Sequence, residues 1–584
     1  MAQAQTALSL ESRAGTGAQE HTLLRLEESG ANANDALQQR ISDGILRRAV
    51  KAWRSGDIVR AGQLALEAAN TEETNAPAYH LLAMCLERMG HLHKALVTYE
   101  RAFELDPHDP DLLINLGLTA WSLKMRDGAI DMFQRYIALK PDSPLGYNNL
   151  GTILCEMGDA KAAIDTLRAA LLRMPAEPVL WNALATVLAE SGRADESIVF
   201  YEEAIRLAPG FPRAYHNLGF AFSHLGRLDD ALAAYDNALA RAVDPKEVIE
   251  GEHSRSVCLM GMGRLEEGFR EYEIRNSPRF RSYVQHVVTA PIWNGEPLAG
   301  KRLLIVGEQG LGDELMFATA IPDLIEAVGP TGRLQIAVEH RLVDLFQRSF
   351  PQAEVGAYDD RRVVTDDGAY EVRFIQWAIQ DGQPDYYATM GTPLQFLRKD
   401  VNDFPSRPLF AADPSRVAEF RKRLDAMGPG PFVGICWRSM MQDIKRQKYF
   451  SPLDAWGPVL KAKGVTFVNV QYGDCAEDLA RAREQFGIDV KVFDDLDLKQ
   501  DIEGAAALSA ALDLVLSAPT AAAAIAASIG TEVWFLAAGR TWPQLGTDRF
   551  PWYANTRVFA PEKFGDWNTL MPRLAGELEA FARR

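Results

Sequence analysis

Apolar residues in the second half of the chain fall into short runs separated by longer segments with helical spacing. The runs are rich in Val, Ile, Leu and Phe, a composition that favours buried β-strands. Strands that alternate with helices predict parallel sheets covered by helices on both faces. The pattern predicts two such α/β units, the second beginning near Pro414. The runs are RLLIV (302–306), RLQIAV (333–338), VRFI (372–375), FVGICW (432–437), VTFVNVQY (465–472), LDLVLSA (512–518) and EVWFL (532–536).

The first half has a different pattern, in which prolines and small residues recur every 34 residues. A period of 34 is the signature of tetratricopeptide repeats, and about seven of them are predicted over residues 41–276. In each repeat a small residue lets the two helices approach closely, and a proline ends the second helix. Such arrays form a superhelical solenoid with a groove suited to an extended peptide. The recurring residues are Pro107, Pro141, Pro175 and Pro209; Pro110, Pro144, Pro178 and Pro212; Ala83, Gly117, Gly151, Ala185 and Gly219; and Ala95, Ala129, Ala163, Ser197 and Ala231.

One polar position also recurs on the first helix of the repeats. Asn115, Asn149 and Asn217 precede a Leu-Gly pair at the same register, and Ala183 interrupts the series. An amide offers both a donor and an acceptor, so a ladder of amides in the groove would hold a peptide backbone without reading its sequence. The alternative is that asparagine only fixes local helix contacts, and the sequence leaves both interpretations open.

Shifts in composition indicate the domain boundaries. Residues 1–40 are expected to form a disordered tail, residues 41–276 the repeats, and residues 277–300 a linker with prolines and basic side chains. Residues 301–413 and 414–584 are expected to form the two α/β domains. Ligands in such folds bind at the carboxyl ends of the strands, so the loops that follow the strands are the candidate sites.

Charge and cysteine content narrow the classes of function. The formal net charge of −17 argues against nucleic acid or an anionic membrane surface as the main partner. The five cysteines are far apart and lack the spacing of a metal or redox site, so reduced thiols and a cytoplasmic location are expected. No apolar run approaches the roughly 20 residues that span a bilayer. The N-terminus lacks the basic and apolar regions of a signal peptide.

A glycine-rich loop follows the first predicted strand of the α/β half, in LLIVGEQGLGDELMFATAIPDL (303–324). Glycine-rich loops after strands commonly bind phosphate, yet this loop lacks both the Lys-Ser/Thr ending of a nucleotide-hydrolase loop and the Gly-x-Gly-x-x-Gly spacing. Asp313 stands where the loop enters a helix, a position that stabilises a carboxylate as the anion. The residue is either a functional carboxylate or only the cap of its helix.

This loop and three later segments together resemble one family of enzymes. WNGEPLAGKRLLIVGEQGLGDELMFATAIPDL (293–324) is similar to the opening of the glycosyltransferase domain in bacterial tetratricopeptide–glycosyltransferase fusions. These are distant relatives of the lipopolysaccharide heptosyltransferases and of O-linked N-acetylglucosamine transferase. VGICWRS (433–439) resembles the first strand of their donor-binding domain, LSAPTAAAAIAASIGTEVWFL (516–536) a later segment of it, and PWYANTRVF (551–559) their Pro-Trp-Tyr ending. The resemblance implies a solenoid followed by a GT-B region of two Rossmann-like domains, with the nucleotide sugar on the second.

The resemblance also implies roles for individual residues. Asp313 occupies the place of the proposed catalytic base of the heptosyltransferases, and Glu308 is the nearest substitute. GT-B enzymes of this kind use no bound metal, so basic side chains and a helix N-terminus must neutralise the leaving phosphate. Arg438 is the first candidate, and the basic residues of the following loop come next. The expected donor-binding residues are Gly310, Gly312, Arg438, Ser439, Lys445, Arg446, Ser517 and Thr520.

The chain departs from the family pattern at two positions of the expected donor pocket. Pro519 replaces the usual aspartate and Ala524 the usual histidine. No histidine follows His340, so the second α/β domain cannot supply a histidine base. The departures put the family's usual donor in doubt, and they leave open whether the donor is different or the activity is lost.

As a whole, the resemblance implies a protein O-glycosyltransferase. Its repeats would recruit a protein acceptor, and its second half would transfer a sugar from a nucleotide donor to serine or threonine, with no cofactor or metal. Flagellin is the nearest acceptor that the family offers, with a nonulosonic acid from a CMP-activated donor. The alternatives are a tetratricopeptide scaffold whose glycosyltransferase-like half is inactive, and an enzyme that acts on a lipid or polysaccharide.

Overall fold

The computed structural model describes residues 36–365, 368–440 and 444–584. Within them the chain forms a long run of α-helices up to Tyr272 and then alternates strands with helices. The described residues group into two compact units. The helices before Gly210 belong to one unit, and the segments Gly210–Arg361 and Glu371–Arg584 form the other. No helix in the described ranges is long and apolar enough to cross a membrane.

Successive helices pack against each other in pairs, as expected for helical repeats. Many first helices begin with proline, which fits the first helical position because its missing N–H has no partner there in any case. The helices of the first unit are α1 (Ala36–Arg54), α2 (Ile58–Thr71), α3 (Ala76–Arg88), α4 (Leu92–Leu105), α5 (Pro110–Ser122), α6 (Arg126–Leu139), α7 (Pro144–Glu156), α8 (Ala160–Arg173), α9 (Pro178–Glu190) and α10 (Ala194–Leu207). The second unit opens with α11 (Pro212–His224), α12 (Leu228–Leu239), α13 (Pro245–Gly261) and α14 (Leu265–Tyr272).

Helix α1 begins earlier than the sequence indicates. A disordered tail is predicted up to residue 40, but residues 36–40 already form the first turns of the helix. Their sequence, ALQQR, consists of good helix formers and contains no residue that would stop the helix. Leu46, Ala49 and Val50 on the buried face hold the helix in place. The rest of the predicted tail, residues 1–35, lies outside the described residues.

Helices α5 and α6 approach each other closely at Gly117. A Cβ atom on Gly117 would lie 2.9 Å from two ring carbons of the buried Phe133. We therefore expect Gly117→Ala to lower the free energy of unfolding by about 1–3 kcal/mol, because the ring would have to move in a packed core. At Gly128, inside α6, no described atom apart from neighbouring residues and the backbone of the same helix lies within 4 Å of the Cβ position. Gly128→Ala should instead raise stability by about 0.5–1 kcal/mol.

Urea denaturation of the two variants, followed by circular dichroism, tests this pair. Both substitutions add the same methyl group to a helix, so their difference reports the close approach at Gly117 and not helix propensity. A change of the same sign in both variants would contradict the packing described here.

The described residues form three sheets. Two are entirely parallel, with strand orders β4-β3-β2-β7 and β12-β11-β10-β8-β9, and in a smaller one of order β1-β6-β5 strand β1 runs parallel to β6. The strands are β1 (Val284–His286), β2 (Arg302–Val306), β3 (Arg333–Val338), β4 (Glu354–Ala357), β5 (Asp359–Thr365), β6 (Gly368–Phe374), β7 (Tyr386–Thr389), β8 (Phe432–Cys436), β9 (Thr466–Asn469), β10 (Leu514–Ser517), β11 (Val533–Leu536) and β12 (Thr556–Phe559).

Helices connect the strands of the two larger sheets, as the alternating pattern predicts. In chain order they are α15 (Leu311–Phe317), α16 (Ile321–Val328), α17 (Val343–Ser349), α18 (Gln376–Ile379), α19 (Leu394–Leu397), α20 (Pro414–Met427), α21 (Ile444–Gln447), α22 (Gly457–Leu460), α23 (Ala476–Phe486), α24 (Ile502–Ala511), α25 (Ala521–Ser528) and α26 (Trp567–Ala582). The second sheet follows α20, whose first residue is the predicted Pro414.

Segment 277–300, predicted as a linker, is an ordered part of the second unit. Strand β1 pairs with β6, and Ile292 forms a parallel bridge with Tyr387. The indole of Trp293 is buried and donates a hydrogen bond to the carbonyl of Glu296 at 2.8 Å. The loss of the repeat period in this segment therefore marks a change of fold rather than an absence of structure.

Candidate functional site

The glycine loop joins β2 to α15 and places Asp313 in the first turn of the helix. Gly310 is the N-cap residue and has no side chain that could cap the helix. The backbone N–H of Asp313 donates to the carbonyl of Gly310 at 2.8 Å. The side chain of Asp313 is 5% exposed, and its Oδ1 has no hydrogen-bond partner among the described residues. The carboxylate also has a hydrogen bond to the backbone of Gly310, so both interpretations of Asp313, as a functional carboxylate and as a helix cap, stay open.

Burial raises the pKa of Asp313 above its ordinary value, although a backbone hydrogen bond at Gly310 opposes part of this effect. The sequence indicates stabilisation of the anion at the helix start; the hydrogen bond at Gly310 acts in that direction, but burial has the larger effect on the pKa. Loss of solvent outweighs the favourable end of a short helix, since a buried carboxylate loses most of its hydration. A carboxylate with a raised pKa is a better proton acceptor, as a general base requires.

Asp313 lines a cavity of about 160 Å³ next to the carboxyl ends of β2, β8 and β10. The predicted residues that meet there are Gly310, Gly312, Asp313, Ser439, Arg446 and Thr520. Aromatic side chains that were not predicted as site residues complete the wall, namely Phe450, Tyr472, Phe535, Phe550 and Tyr553. Residues from both α/β sheets thus surround one small space with a carboxylate and a guanidinium in its lining.

Helix α25 begins at this cavity, with Thr520 as its N-cap residue. The first backbone N–H groups of an α-helix have no acceptor within the helix, and they carry partial positive charge. Together with Arg446 they give this side of the cavity a positive character. Ser517 does not reach the cavity, because it is fully buried and its hydroxyl donates to the carbonyl of Ala518 at 2.7 Å.

The two departures from the family pattern, Pro519 and Ala524, also line the cavity. A Cβ atom on Gly312 would lie 3.6 Å from the Cα of Ala521 and 3.7 Å from the Cβ of Ala524. Helices α15 and α25 therefore touch through small residues on both sides. The small side chain of Ala524 therefore lies where the two helices approach each other.

Arg438, the first choice for phosphate from the sequence, does not line the cavity. Its Nε and Nη2 donate to the carboxylate of Asp478 at 2.9 and 2.8 Å, and Nη2 also donates to the carbonyl of Asp474. These bonds tie the end of β8 to the loop that follows β9 and to α23. Arg446 lies in the cavity instead. The side chain of Lys445 lies outside the described part of the chain.

Glu308 is buried, and other groups occupy both of its oxygens. Arg275 donates to Oε2 at 2.7 Å and to Oε1 at 2.9 Å, and the N–H of Gly391 donates to Oε1 at 2.6 Å. Burial favours the neutral acid, but the charge and hydrogen bonds of Arg275 lower the pKa of Glu308 below its ordinary value. A carboxylate held in this way is a poor substitute for the base.

The three asparagines of the repeats are all buried. The amide of Asn115 donates to the ring of His80 at 2.9 Å, which fits the local-contact interpretation. In Asn149 neither the amide nitrogen nor the oxygen has a partner among the described residues. Asn149 therefore keeps the peptide-ladder interpretation open, and Asn217 belongs to the second unit.

Two further cavities adjoin the first. One of about 290 Å³ shares Leu311, Ser439, Tyr472 and Ala521 with it and extends towards Arg341. The other, of about 140 Å³, shares a wall of Phe450, Pro519 and Phe550. Helices α11 to α13 form one side of this third cavity, and the residues that follow β11 form the other. Nothing in the sequence pattern indicated that these helices line a cavity.

His224 illustrates this contribution of the helices. Its Nε2 lies 2.8 Å from the hydroxyl of Tyr449, and burial lowers its pKa to about 3. The imidazole is thus neutral, and its contact with Tyr449 joins α11 to the residue that precedes Phe450 of the cavity wall. The repeat pattern does not mark His224 as a residue that lines a cavity. Tyr553, in contrast, belongs to the Pro-Trp-Tyr segment on which the family resemblance rests, so the sequence could have pointed to it.

Comparison with protein families identifies tetratricopeptide repeats at residues 76–119, 148–212 and 188–248. The chain therefore contains these repeats, and the prediction from the 34-residue period is confirmed. Repeats of this kind support protein partners.

Protein FlbA from Caulobacter vibrioides is 41% identical to the chain over 342 residues, which are 58% of this chain and 56% of that protein. The chain thus spans little more than half the length of this relative. Among solved structures, MamA is 27% identical, with 29% of this chain and 92% of MamA covered and a TM-score of 0.25. YrrB, described as a TPR protein with an unusual peptide-binding site, is 22% identical, with 32% and 97% covered and a TM-score of 0.24.

Proposed function

We propose that the chain is a metal-independent GT-B glycosyltransferase that transfers a sugar from a nucleotide-sugar donor to serine or threonine of a protein bound by its repeats. The observation that carries the proposal is the cavity in which Asp313, Arg446 and the beginning of α25 share one space. Transfer to a hydroxyl requires a base for the acceptor proton and stabilisation of the leaving phosphate. This cavity offers both.

In the proposed reaction the acceptor hydroxyl oxygen forms a bond to the anomeric carbon of the sugar. Its proton passes to the carboxylate of Asp313, and the bond between the anomeric carbon and the phosphate oxygen breaks. The negative charge that develops on the phosphate faces Arg446 and the N–H groups of the first turn of α25. The aromatic walls limit access of water, which would otherwise hydrolyse the donor.

The adjoining cavity of about 290 Å³ is the proposed place for the nucleoside part of the donor. Its lining is largely apolar, with Val470, Tyr472 and Ile502, and Arg341 contributes a charged group at one side. Ligand sites commonly combine an apolar lining with a few polar groups that fix orientation. Its shared wall with the Asp313 cavity would let one donor molecule occupy both.

The acceptor is proposed to reach Asp313 from the side of α11 to α13. These helices border the third cavity, which shares Phe450, Pro519 and Phe550 with the Asp313 cavity. The tetratricopeptide repeats support recruitment of a protein. Flagellin as that protein, a CMP-activated nonulosonic acid as the donor, and a cytoplasmic location rest on the sequence resemblance.

The intact mass of flagellin tests this proposal in cells. Strains with the gene intact, with the gene deleted, and with the deletion complemented by the full-length gene are compared. We expect flagellin from the deletion strain to be lighter by a whole number of sugar units, and complementation to restore the mass. Equal masses in all three strains would rule out flagellin, and an unchanged set of glycosylated proteins would favour the scaffold alternative.

A further inference from the structure

A tyrosine recurs on the second helix of several repeats and usually bonds to its own repeat. The hydroxyl of Tyr99 donates to Glu87 at 2.8 Å, and that of Tyr201 donates to Thr186 at 3.2 Å. Tyr235 follows the same pattern with Ser223 at 3.3 Å. In each case the partner lies on the preceding helix of the same repeat.

Tyr272 occupies the same position in the last repeat, since GRLEEGFREY (263–272) aligns with GRLDDALAAY (226–235). Its hydroxyl accepts a hydrogen bond from Nε2 of Gln309 at 2.7 Å. Gln309 belongs to the glycine loop and has a φ of +64°. A residue with a side chain is disfavoured in this left-handed region, so the surrounding contacts must hold it there.

Arg275 lies three residues later and also departs from the repeat pattern. Alanine occupies the equivalent position in four earlier repeats, at Ala102, Ala170, Ala204 and Ala238. Arg275 is 5% exposed and makes the two hydrogen bonds to Glu308 described above. It also donates to Thr389 Oγ1 at 3.1 Å and to the carbonyl of Tyr272 at 3.0 Å.

A third group holds the loop from the other side. Nη1 of Arg373, on β6, donates to the carbonyl of Gly307. Three consecutive loop residues, Gly307, Glu308 and Gln309, are therefore each held by a side chain from outside the loop. Asp313 follows in the next turn, so its position depends on this arrangement.

We propose that Tyr272 and Arg275 are positioning residues, through which the last repeat fixes the glycine loop and thereby Asp313. Their importance for transfer rests on the proposed function, whereas their effect on the loop does not. Two repeat positions that elsewhere stabilise the solenoid are used here to build the site. The last repeat is thus a part of the catalytic region and not only of the acceptor groove.

Tyr272→Phe tests the proposal in the full-length protein, because it removes one hydroxyl and keeps the buried ring. Hydrogen exchange is measured for peptides that cover residues 303–316. Loss of a hydrogen bond to the loop should speed its exchange about three- to tenfold. Tyr201→Phe is the matched control, since it removes the same hydroxyl at the same repeat position, and exchange of the loop should not change.

Gln309→Gly provides a second test, because glycine adopts the positive φ without help from Tyr272. In this background Tyr272→Phe should have no further effect on exchange of the loop. If Tyr272→Phe leaves exchange in the otherwise unaltered protein unchanged, or acts equally in the glycine background, the inference is overturned.

Transfer kinetics separate the two proposals. Tyr272→Phe should lower kcat about tenfold to a hundredfold with little change in KM for the donor, as expected when a catalytic group is displaced by a fraction of an ångström. If exchange of the loop responds but the unaltered protein transfers no sugar, the positioning role stands and the proposed function fails. If the protein transfers sugar and kcat is unaffected although the loop exchanges faster, the positioning role in catalysis is wrong.

Discussion

Asp313→Asn is expected to reduce kcat for sugar transfer by about 10²–10⁴-fold, because the variant keeps the shape of the side chain but cannot accept the acceptor proton. Donor binding should change little, since the amide fills the same space in the cavity. The measurement is single-turnover transfer with a saturating donor, together with a thermal melt that establishes folding. A variant that transfers sugar at the normal rate would remove Asp313 from the mechanism.

Asp313 also determines how kcat/KM is expected to depend on pH. The base must be ionised, so kcat/KM should fall as the pH falls through the pKa of Asp313. Burial raises that pKa above the ordinary aspartate value of 3.8, so the acid limb should lie above this value. In Asp313→Asn the residual rate should lack this limb. An unchanged limb in the variant would assign it to another group.

Arg446→Gln is expected to lower kcat by about 10²–10³-fold, because a charged group that faces the leaving phosphate acts most strongly in the transition state. Calorimetric titration with CMP and with other nucleotides should show weaker binding than in the unaltered protein. Arg438→Gln is the matched control: it removes an arginine from the same segment whose guanidinium bonds Asp478 outside the cavity. Its transfer rate should change by less than about threefold.

From the sequence, Arg438 comes first as the phosphate-binding residue, whereas the structure has Arg446 in the cavity. Comparing the two variants therefore tests which of the two arginines acts on the phosphate. A larger loss in Arg438→Gln than in Arg446→Gln would favour the order from the sequence. It would also indicate that the segment around residue 440 rearranges when the donor binds.

The helical repeats and the alternating strands could be read from the sequence because both are periodic. Strands β2 and β3 coincide with the predicted apolar runs, and these strands are interior in their sheet. Edge strands β4, β7 and β12 were missed because a partly buried strand needs no continuous apolar run, whereas the edge strand β9, with three of its four residues buried, was predicted. Trp293 lies inside the predicted linker and could not be recognised as a core residue either. A single buried side chain produces no periodic pattern in the sequence.

The part of the candidate site that is easiest to predict is the glycine loop, where each residue is placed by its own neighbours in sequence. Gly310, Gly312 and Asp313 meet as expected because they are neighbours in sequence. Whether Arg438 or Arg446 faces the cavity depends on Asp478, which is 40 residues away from Arg438. The roles of Tyr272 and Arg275 depend on contacts with a loop that lies more than 30 residues later in the sequence. The only sequence feature that points to these roles is Arg275 itself, which stands where four earlier repeats have alanine.

The most direct test of the central claim is transfer in a purified system. Flagellin from the deletion strain is incubated with the purified protein and the CMP-activated sugar, and its intact mass is measured. We expect increments of whole sugar units with the unaltered protein and none with Asp313→Asn. A protein that binds both flagellin and the nucleotide sugar but adds no mass would contradict the account and leave the chain as a tetratricopeptide scaffold.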